Sequence, residues 1–406
     1  MTQYDLNSAE FLRDPYPVYD QLRTHDPIFW SAENEYWMIT RYADIISHIQ
    51  DNRLSSNRIA AHADRMPREA KEYFRPLFSA VSSWMLMIDP PDHTRLRGLV
   101  SKAFTPAVVE NMRGLVRKLV DDKLASVKQQ GRMDIMKDLA NPLPAIVIAE
   151  MLGVSGTDQQ QFKTWSDDIA MGLGGIDSAR SKEELFAMYD LAQKSFLSLA
   201  GYFREKVSEL RLKPRENLLS ALIQAEERGD RLTEHELFAN CVLLMIAGHE
   251  TTTNLIGNGV LALLRNPDQK ETLTLNPELI LSAVEELLRY DSPVQKMARL
   301  ALQDFEIAGK QIKQSQLVCF SFAAGNRDPE QFSAPAQLDL ARRPNRHLAF
   351  GHGLHYCVGA ALARLEGQIA VNRILSSLPG IKLETEDLEW TRNLTLRGLK
   401  SLPVVF

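Results

Sequence analysis

The 406-residue chain has only three cysteines, Cys241, Cys319 and Cys357. That is too few for a disulfide framework and fits a reducing compartment. Long apolar runs are missing as well. Stretches such as CVLLMIAG, residues 241–248, fall far short of the about 18 residues that a membrane span needs. The opening MTQYDLNSAEFLRDPYPVYDQLR is polar and charged, without the apolar core of a signal peptide, so a cytoplasmic protein with no membrane anchor is expected. Positive charge is not in excess either. Lys and Arg number 47 against 52 Asp and Glu, a formal net charge of −5, which speaks against a dedicated nucleic-acid binder. Repeats, low-complexity tracts and Gly/Ser linkers are absent, so residues 1–406 are expected to form a single domain.

What remains is ordinary soluble-protein composition, 45% hydrophobic and 24% charged, in a length that can bury a deep internal pocket. Two aromatic, β-branched runs flank a polar connector in residues 27–42 and predict a hairpin. Residues 105–265 read as largely helical, with Pro106 near a helix start, where its missing N–H costs little. Thr233 followed by Glu236 is a capping-box signature. It opens a long helix over about 233–264, which spans roughly 45 Å at 1.5 Å per residue. Further helices are expected at 277–290 and about 358–378. Short strands around a Gly309-Lys310 turn are expected in 304–322, a polar meander at 326–346, and a terminal strand in LTLRGLKSLPVVF. The fold class is mainly α with a minor β part.

The most informative stretch is Phe350-Gly351-His352-Gly353-Leu354-His355-Tyr356-Cys357-Val358-Gly359. A cysteine just before a helix has its sulfur near unpaired N–H groups and the positive end of the dipole, which favours the thiolate. The glycines permit tight turns and the approach of a bulky flat group. Read locally, the loop could hold a structural cysteine, a phosphate or a metal. A phosphate loop would need the missing Gly-Lys-Ser/Thr ending, and zinc would need more ligands than His352, His355 and Cys357 obviously provide. As a whole, the stretch resembles the haem-binding signature of the cytochrome P450 superfamily in its soluble bacterial form. The resemblance implies the cytochrome P450 fold, with haem b between the long central helix and the cysteine-loop helix. It also implies Cys357 as the axial thiolate that donates electron density to iron. His355 would pair with a propionate, Phe350 would shield the sulfur, and Gly359 would belong to the haem contact. Cys241 and Cys319 read as core residues.

Mid-helix, Ala247-Gly248-His249-Glu250-Thr251-Thr252 interrupts an apolar stretch. Glycine and threonine are poor helix formers, and threonine hydroxyls can bond back to preceding carbonyls. Such local conflict marks either a functional site or a close helix crossing. The family resemblance implies a distorted helix beside Gly248, with Thr251 bonding dioxygen or its water and Glu250 feeding protons. His249 reads as a spacer pointing away from the haem.

Glu286 and Arg289 stand three apart on one helix face. With Arg342 they match a structural acid–arginine set of the family. His93 and Arg97, spaced i, i+4, match its propionate contacts, as does Arg299. Ala324-Gly325-Asn326-Arg327-Asp328-Pro329 matches its meander, with Gly325 where alanine is commoner.

The function implied is insertion of one oxygen atom from O₂ into a lipophilic small molecule, free or carrier-bound, in secondary metabolism. Electrons would come from a ferredoxin and its reductase, since 406 residues leave no room for a fused flavin domain. Arg113, Arg117, Lys118 and Arg364 are candidate contacts for that acidic partner, or solvated charges. A monomer is expected. Leu243, Leu244, Ala247, Val294 and Met297 are expected to face substrate. The irregular stretch 58–84 and a Gly172, Gly174, Gly175 lid in 165–178 are expected to join them. Lys296 reads as solvent-facing, with a carboxylate or phosphate contact as the alternative. A peroxygenase would normally lack the Glu250-Thr251 pair. A recruitment domain would be expected to lose Cys357 or that pair, and a haem-thiolate sensor would carry an output domain.

Overall fold

The computed structural model describes residues 4–64, 66–154, 156–174, 181–215, 217–226 and 233–406. Its axis is the central helix Glu234–Arg265. The capping box is formed in both directions: Thr233 Oγ1 accepts from the Glu236 N–H (3.1 Å), and a Glu236 carboxylate oxygen accepts from the Thr233 N–H (2.8 Å). Most of this helix is buried, so apolar residues occupy nearly all its faces. Two of the buried polar residues on it serve neighbouring backbone. Asn240 Oδ1 accepts from the Met85 N–H (2.9 Å), and Thr253 Oγ1 donates to the Ala140 carbonyl (2.9 Å). Such satisfied groups avoid the cost of a buried orphan.

Around it pack the helices Pro142–Met151, Lys182–Leu212, Ile280–Tyr290 and Ala360–Ser377. Gln159–Gly174 packs against it as well, and Asp92–Ala103 meets it through the Arg95–Glu236 ion pair. A five-stranded sheet carries the strands in the order Ile28–Ser31, Tyr36–Ile39, Leu317–Ser321, Lys296–Ala301 and Leu54–Ser55. The expected hairpin is its first pair, with Ile28 opposite Ile39 and Trp30 opposite Trp37. No helix among the described residues is long and apolar enough to cross a membrane.

Several expectations need correction. Residues 58–84 are mostly helical, in the short helices Arg58–Asp64, Arg68–Tyr73 and Arg75–Ser82. Pro67 and Pro76 sit at helix starts, so the prolines divide the stretch without unwinding it. The turn before the strand Lys310–Ile312 is Ala308-Gly309, both at positive φ (47° and 80°). Residues 277–290 begin with a 3₁₀ turn, Pro277–Leu279, before the α-helix. Of the C-terminal run only Pro403–Val405 forms a strand. Gly398 lies against the central helix, where a Cβ would come within 1.9 Å of Asn254 Oδ1. Gly172 is no hinge among the described residues. It lies within the helix Gln159–Gly174, and a Cβ there would meet the Ala192 Cβ at 2.4 Å. Residues 165–174 of that expected lid belong to the same helix, and 175–178, with Gly175, lie outside the described residues.

Candidate active site

The cysteine loop is held from both ends. The Leu348 N–H donates to Asn326 Oδ1 (2.6 Å), and the Gly351 N–H donates to the Leu348 carbonyl (2.8 Å). Gly351 and Gly353 take φ of +73° and +70°, the region that favours glycine. The chain then returns so that the Cys357 N–H donates to the Phe350 carbonyl (2.8 Å). Gly359 caps the helix Ala360–Ser377, and a Cβ built there would meet no protein atom within 4 Å. Cys241 and Cys319 are buried, as expected of core residues, whereas Cys357 keeps an accessible face. Burial pushes the Cys241 thiol up to about 12.

The expectation that the helix start favours the Cys357 thiolate does not hold for the polypeptide alone. Desolvation raises the thiol pKa, and the Gly359 N–H, Arg97 and Arg364 do not reverse it. A bound cation is what would make the thiolate favourable at such a position.

On the central helix, the Thr251 hydroxyl donates to the Ala247 carbonyl (2.8 Å). The helix nevertheless runs unbroken through Gly248, so the expected distortion is limited to this back-bond. His249 is buried and points away from Thr251, but it is an anchor rather than a mere spacer. Its Nε2 lies 3.1 Å from the Asn141 carbonyl and its Nδ1 3.4 Å from Asp167. Glu250 is pushed up to about 7, first by burial and then by the like charge of Asp167.

A cationic group adjoins the loop. The rings of His93 and His355 are 4.1 Å apart, and His355 Nε2 lies 2.9 Å from Ser56 Oγ. Both ring nitrogens of buried His93 lack a hydrogen-bond partner. Arg97 donates to the Tyr356 carbonyl (2.5 Å) and Arg299 to the Ala298 carbonyl (3.0 Å). Burial, then Arg299, His93, Arg97 and Arg58, drive the His355 pKa down to about 3. The nearby carboxylate, Asp89, is held by the Ser56 N–H (2.9 Å) and the Ser55 hydroxyl. The sequence reading missed Ser56, and took in Arg58 only as the start of the 58–84 stretch; they lie some 300 and 240 residues from the groups they meet.

Glu286 and Arg289 are fully buried, paired at 2.8 Å. Glu286 also accepts from Arg342 Nε (3.1 Å), Asn345 Nδ2 (3.1 Å) and the Asp339 N–H (3.0 Å). Arg289 in turn donates to the carbonyls of Asn326, Pro335 and Gln337. The site's floor and the meander are thus joined through one buried ion pair.

Leu243 and Leu244 are buried, Ala247 is exposed on the same helix, and Val294 and Met297 are partly buried beside the sheet. Val294 bridges to Leu396, a neighbour that the sequence reading did not single out. Lys296 is not solvent-facing. It is buried, with Nζ 3.0 Å from the Tyr36 hydroxyl and 4.2 Å from that ring's centre. The candidate partner cations are all engaged: Arg113 with Glu110, Arg117 with Asp121, Lys118 with Asp122, and Arg364 with Glu285.

The cytochrome P450 family model matches residues 35–278 and 276–387. The chain is 39% identical over 410 residues to the polyketide biosynthesis cytochrome P450 PksS of Bacillus subtilis, covering 98% of this chain and 97% of that one. It is 38% identical over 408 residues to the vitamin D(3) 25-hydroxylase of Pseudonocardia autotrophica, covering 99% and 96%. The solved structure of P450BioI in complex with a hexadec-9Z-enoic acid-ligated acyl carrier protein superimposes with a TM-score of 0.88 at 38% identity, covering 98% and 100%. Matches of this length and identity, on this fold and around this cysteine loop, establish that the chain belongs to the cytochrome P450 family, as a monooxygenase with a haem–thiolate cofactor.

Proposed function

We propose that this monooxygenase hydroxylates or epoxidises a lipophilic secondary metabolite, with Cys357 as the haem's axial ligand. The observation that carries the site assignment is the cationic group beside the cysteine loop. Arg97, Arg299, His93 and His355 converge, His93 has two orphaned ring nitrogens, and Asp89 is already engaged. A buried charge needs a partner, and the two propionates of haem supply the carboxylates this group lacks. The residues present therefore fit the cofactor. Thiolate-ligated haem supplies the redox chemistry that activates dioxygen.

The remaining tasks fall to side chains. The Gly359 N–H and the Phe350 carbonyl fix the turn that presents Cys357. Thr251 Oγ1 is positioned to release its bond to the Ala247 carbonyl and donate to a bound group instead. Glu250, poised near neutral pH, can hold a proton and give it up at working pH. Asp167, partly exposed and electrostatically linked to Glu250, offers it a route to solvent. Glu286, Arg289 and Arg342 hold the meander and take no part in the chemistry.

The apolar character of Leu243, Leu244, Ala247, Val294 and Met297 supports a lipophilic substrate. Relatives named for polyketide biosynthesis and vitamin D(3), and one solved with an acyl carrier protein, support a polyketide, terpenoid or fatty acyl scaffold, free or carrier-bound. A cytoplasmic ferredoxin and its reductase are proposed as electron donors on the family resemblance. The test is a spin-state titration of the haem-loaded protein against a panel of such compounds, followed by mass analysis of turnover products. A spin shift and a product gaining one oxygen atom support the reading. A panel in which only polar compounds bind contradicts it.

A further inference from the structure

Arg58 begins the helix Arg58–Asp64, directly after the strand Leu54–Ser55. Its Nη1 points at the Ala298 carbonyl (3.4 Å), and Nη1 of Arg299 donates to that same oxygen (3.0 Å). A second contact of Arg58, to the Ser56 carbonyl, is also 3.4 Å. Both lie near the limit of a useful hydrogen bond. Each guanidinium has five donors, yet Nε and Nη2 of both arginines bond no acceptor among the described residues. Neither pairs with a described carboxylate, although Arg299 is only 4% exposed. Two like charges therefore converge on one carbonyl with most of their donors unspent. Burial lowers the pKa of each guanidinium to about 10.

Such a pair is costly unless an anion joins it. Asp89 acts on Arg299 electrostatically but hydrogen-bonds neither guanidinium, its bonds coming from Ser55 and Ser56. Lys296 points instead at Tyr36, its Nζ 3.0 Å from the hydroxyl. The charges also balance as a set. Arg58, Arg97 and Arg299 carry three positive charges, and Asp89 carries one negative. Two further carboxylates neutralise the group if both histidines are neutral.

The geometry points to a carboxylate clamp made by Arg58 together with Arg299. Planar forks of this kind take a carboxylate bidentately. The inference rests on the haem reading above and extends it to a residue outside the family motifs. The carboxylate is either a haem propionate or the acid group of a substrate, and the two sources are separable by experiment.

The experiment uses haem-loaded wild type, Arg58→Gln and Arg58→Lys. Haem transfer to excess apomyoglobin is followed by absorbance, and palmitic acid and its methyl ester are titrated by spin-state shift. If the clamp holds a propionate, Arg58→Gln loses haem at least tenfold faster and Arg58→Lys lies between it and wild type. If it holds a substrate carboxylate, haem loss stays within twofold, while the wild-type preference for acid over ester falls at least tenfold in Arg58→Gln. Unchanged haem loss together with an unchanged acid-to-ester ratio overturns the clamp. Should Arg58→Gln not fold, Arg58→Lys decides on the same two readouts. A wild type that binds no haem overturns the underlying haem reading instead.

Discussion

The guanidinium of Arg364 stands 4.5 Å from the centre of the Phe350 ring while its nitrogens donate to both oxygens of Glu285, at 2.7 and 2.8 Å. Cation, ring and carboxylate together brace the residue whose carbonyl holds the Cys357 N–H. Burial alone would raise the Glu285 pKa, but hydrogen bonds from Arg364 and His347 outweigh it and hold it at about 2. A carboxylate with a depressed folded pKa stabilises above its unfolded value, and that contribution is lost as pH falls through the folded one. Glu285→Gln should therefore lower stability at pH 7 by about 1–3 kcal/mol, with the deficit shrinking below about pH 4.5. Urea unfolding at several pH values checks this, and a deficit independent of pH contradicts it.

Glu250 carries the opposite sign. Its folded pKa of about 7 lies well above the ordinary carboxylate value of 4.5, so its ionisation opposes folding increasingly from pH 4.5 to 7. Glu250→Gln should gain about 1–3 kcal/mol over wild type at pH 8 and nothing below pH 4.5. Its turnover should fall on the order of 10²-fold, as expected when a proton donor is removed. A variant as active as wild type would remove Glu250 from the proton path.

Thr251→Ala should leave the fold and substrate binding intact, because among the described residues its hydroxyl bonds only to its own helix. Oxygen consumption should continue while product per O₂ falls several-fold and peroxide accumulates. Coupling equal to wild type would show that the Thr251 hydroxyl has no part in proton delivery.

Glu286→Ala should be far more damaging to the fold than to any chemical step. The substitution strands Arg289 at 0% exposure and removes an acceptor from Arg342, Asn345 and the Asp339 N–H. Leaving such a charge uncompensated costs about 3–5 kcal/mol. Denaturation midpoints check this, and a cost below about 1 kcal/mol would mean that the network is dispensable.

What could be read from the sequence was whatever the chain encodes locally. The capping box at Thr233, the hairpin between Ile28 and Ile39 and the spacing around Cys357 each need only neighbouring residues. Groups that meet across the fold left no such signal. Lys296 finds Tyr36 from 260 positions away, and Arg364 finds Glu285 from 79, so each looked like an ordinary surface charge. Arg58 lay in a stretch that propensity left irregular, because Pro67 and Pro76 look like breakers yet open short helices. Gly172 suggested mobility, whereas packing against Ala192 is what excludes a larger residue there.

The central claim is that Cys357 is the thiolate ligand of a haem, and the most direct test is the carbon monoxide difference spectrum of the dithionite-reduced protein. The account predicts a strongly red-shifted Soret band in wild type and its loss in Cys357→His with haem still bound. A wild-type spectrum without that shift, or a shifted band that survives Cys357→His, would contradict it.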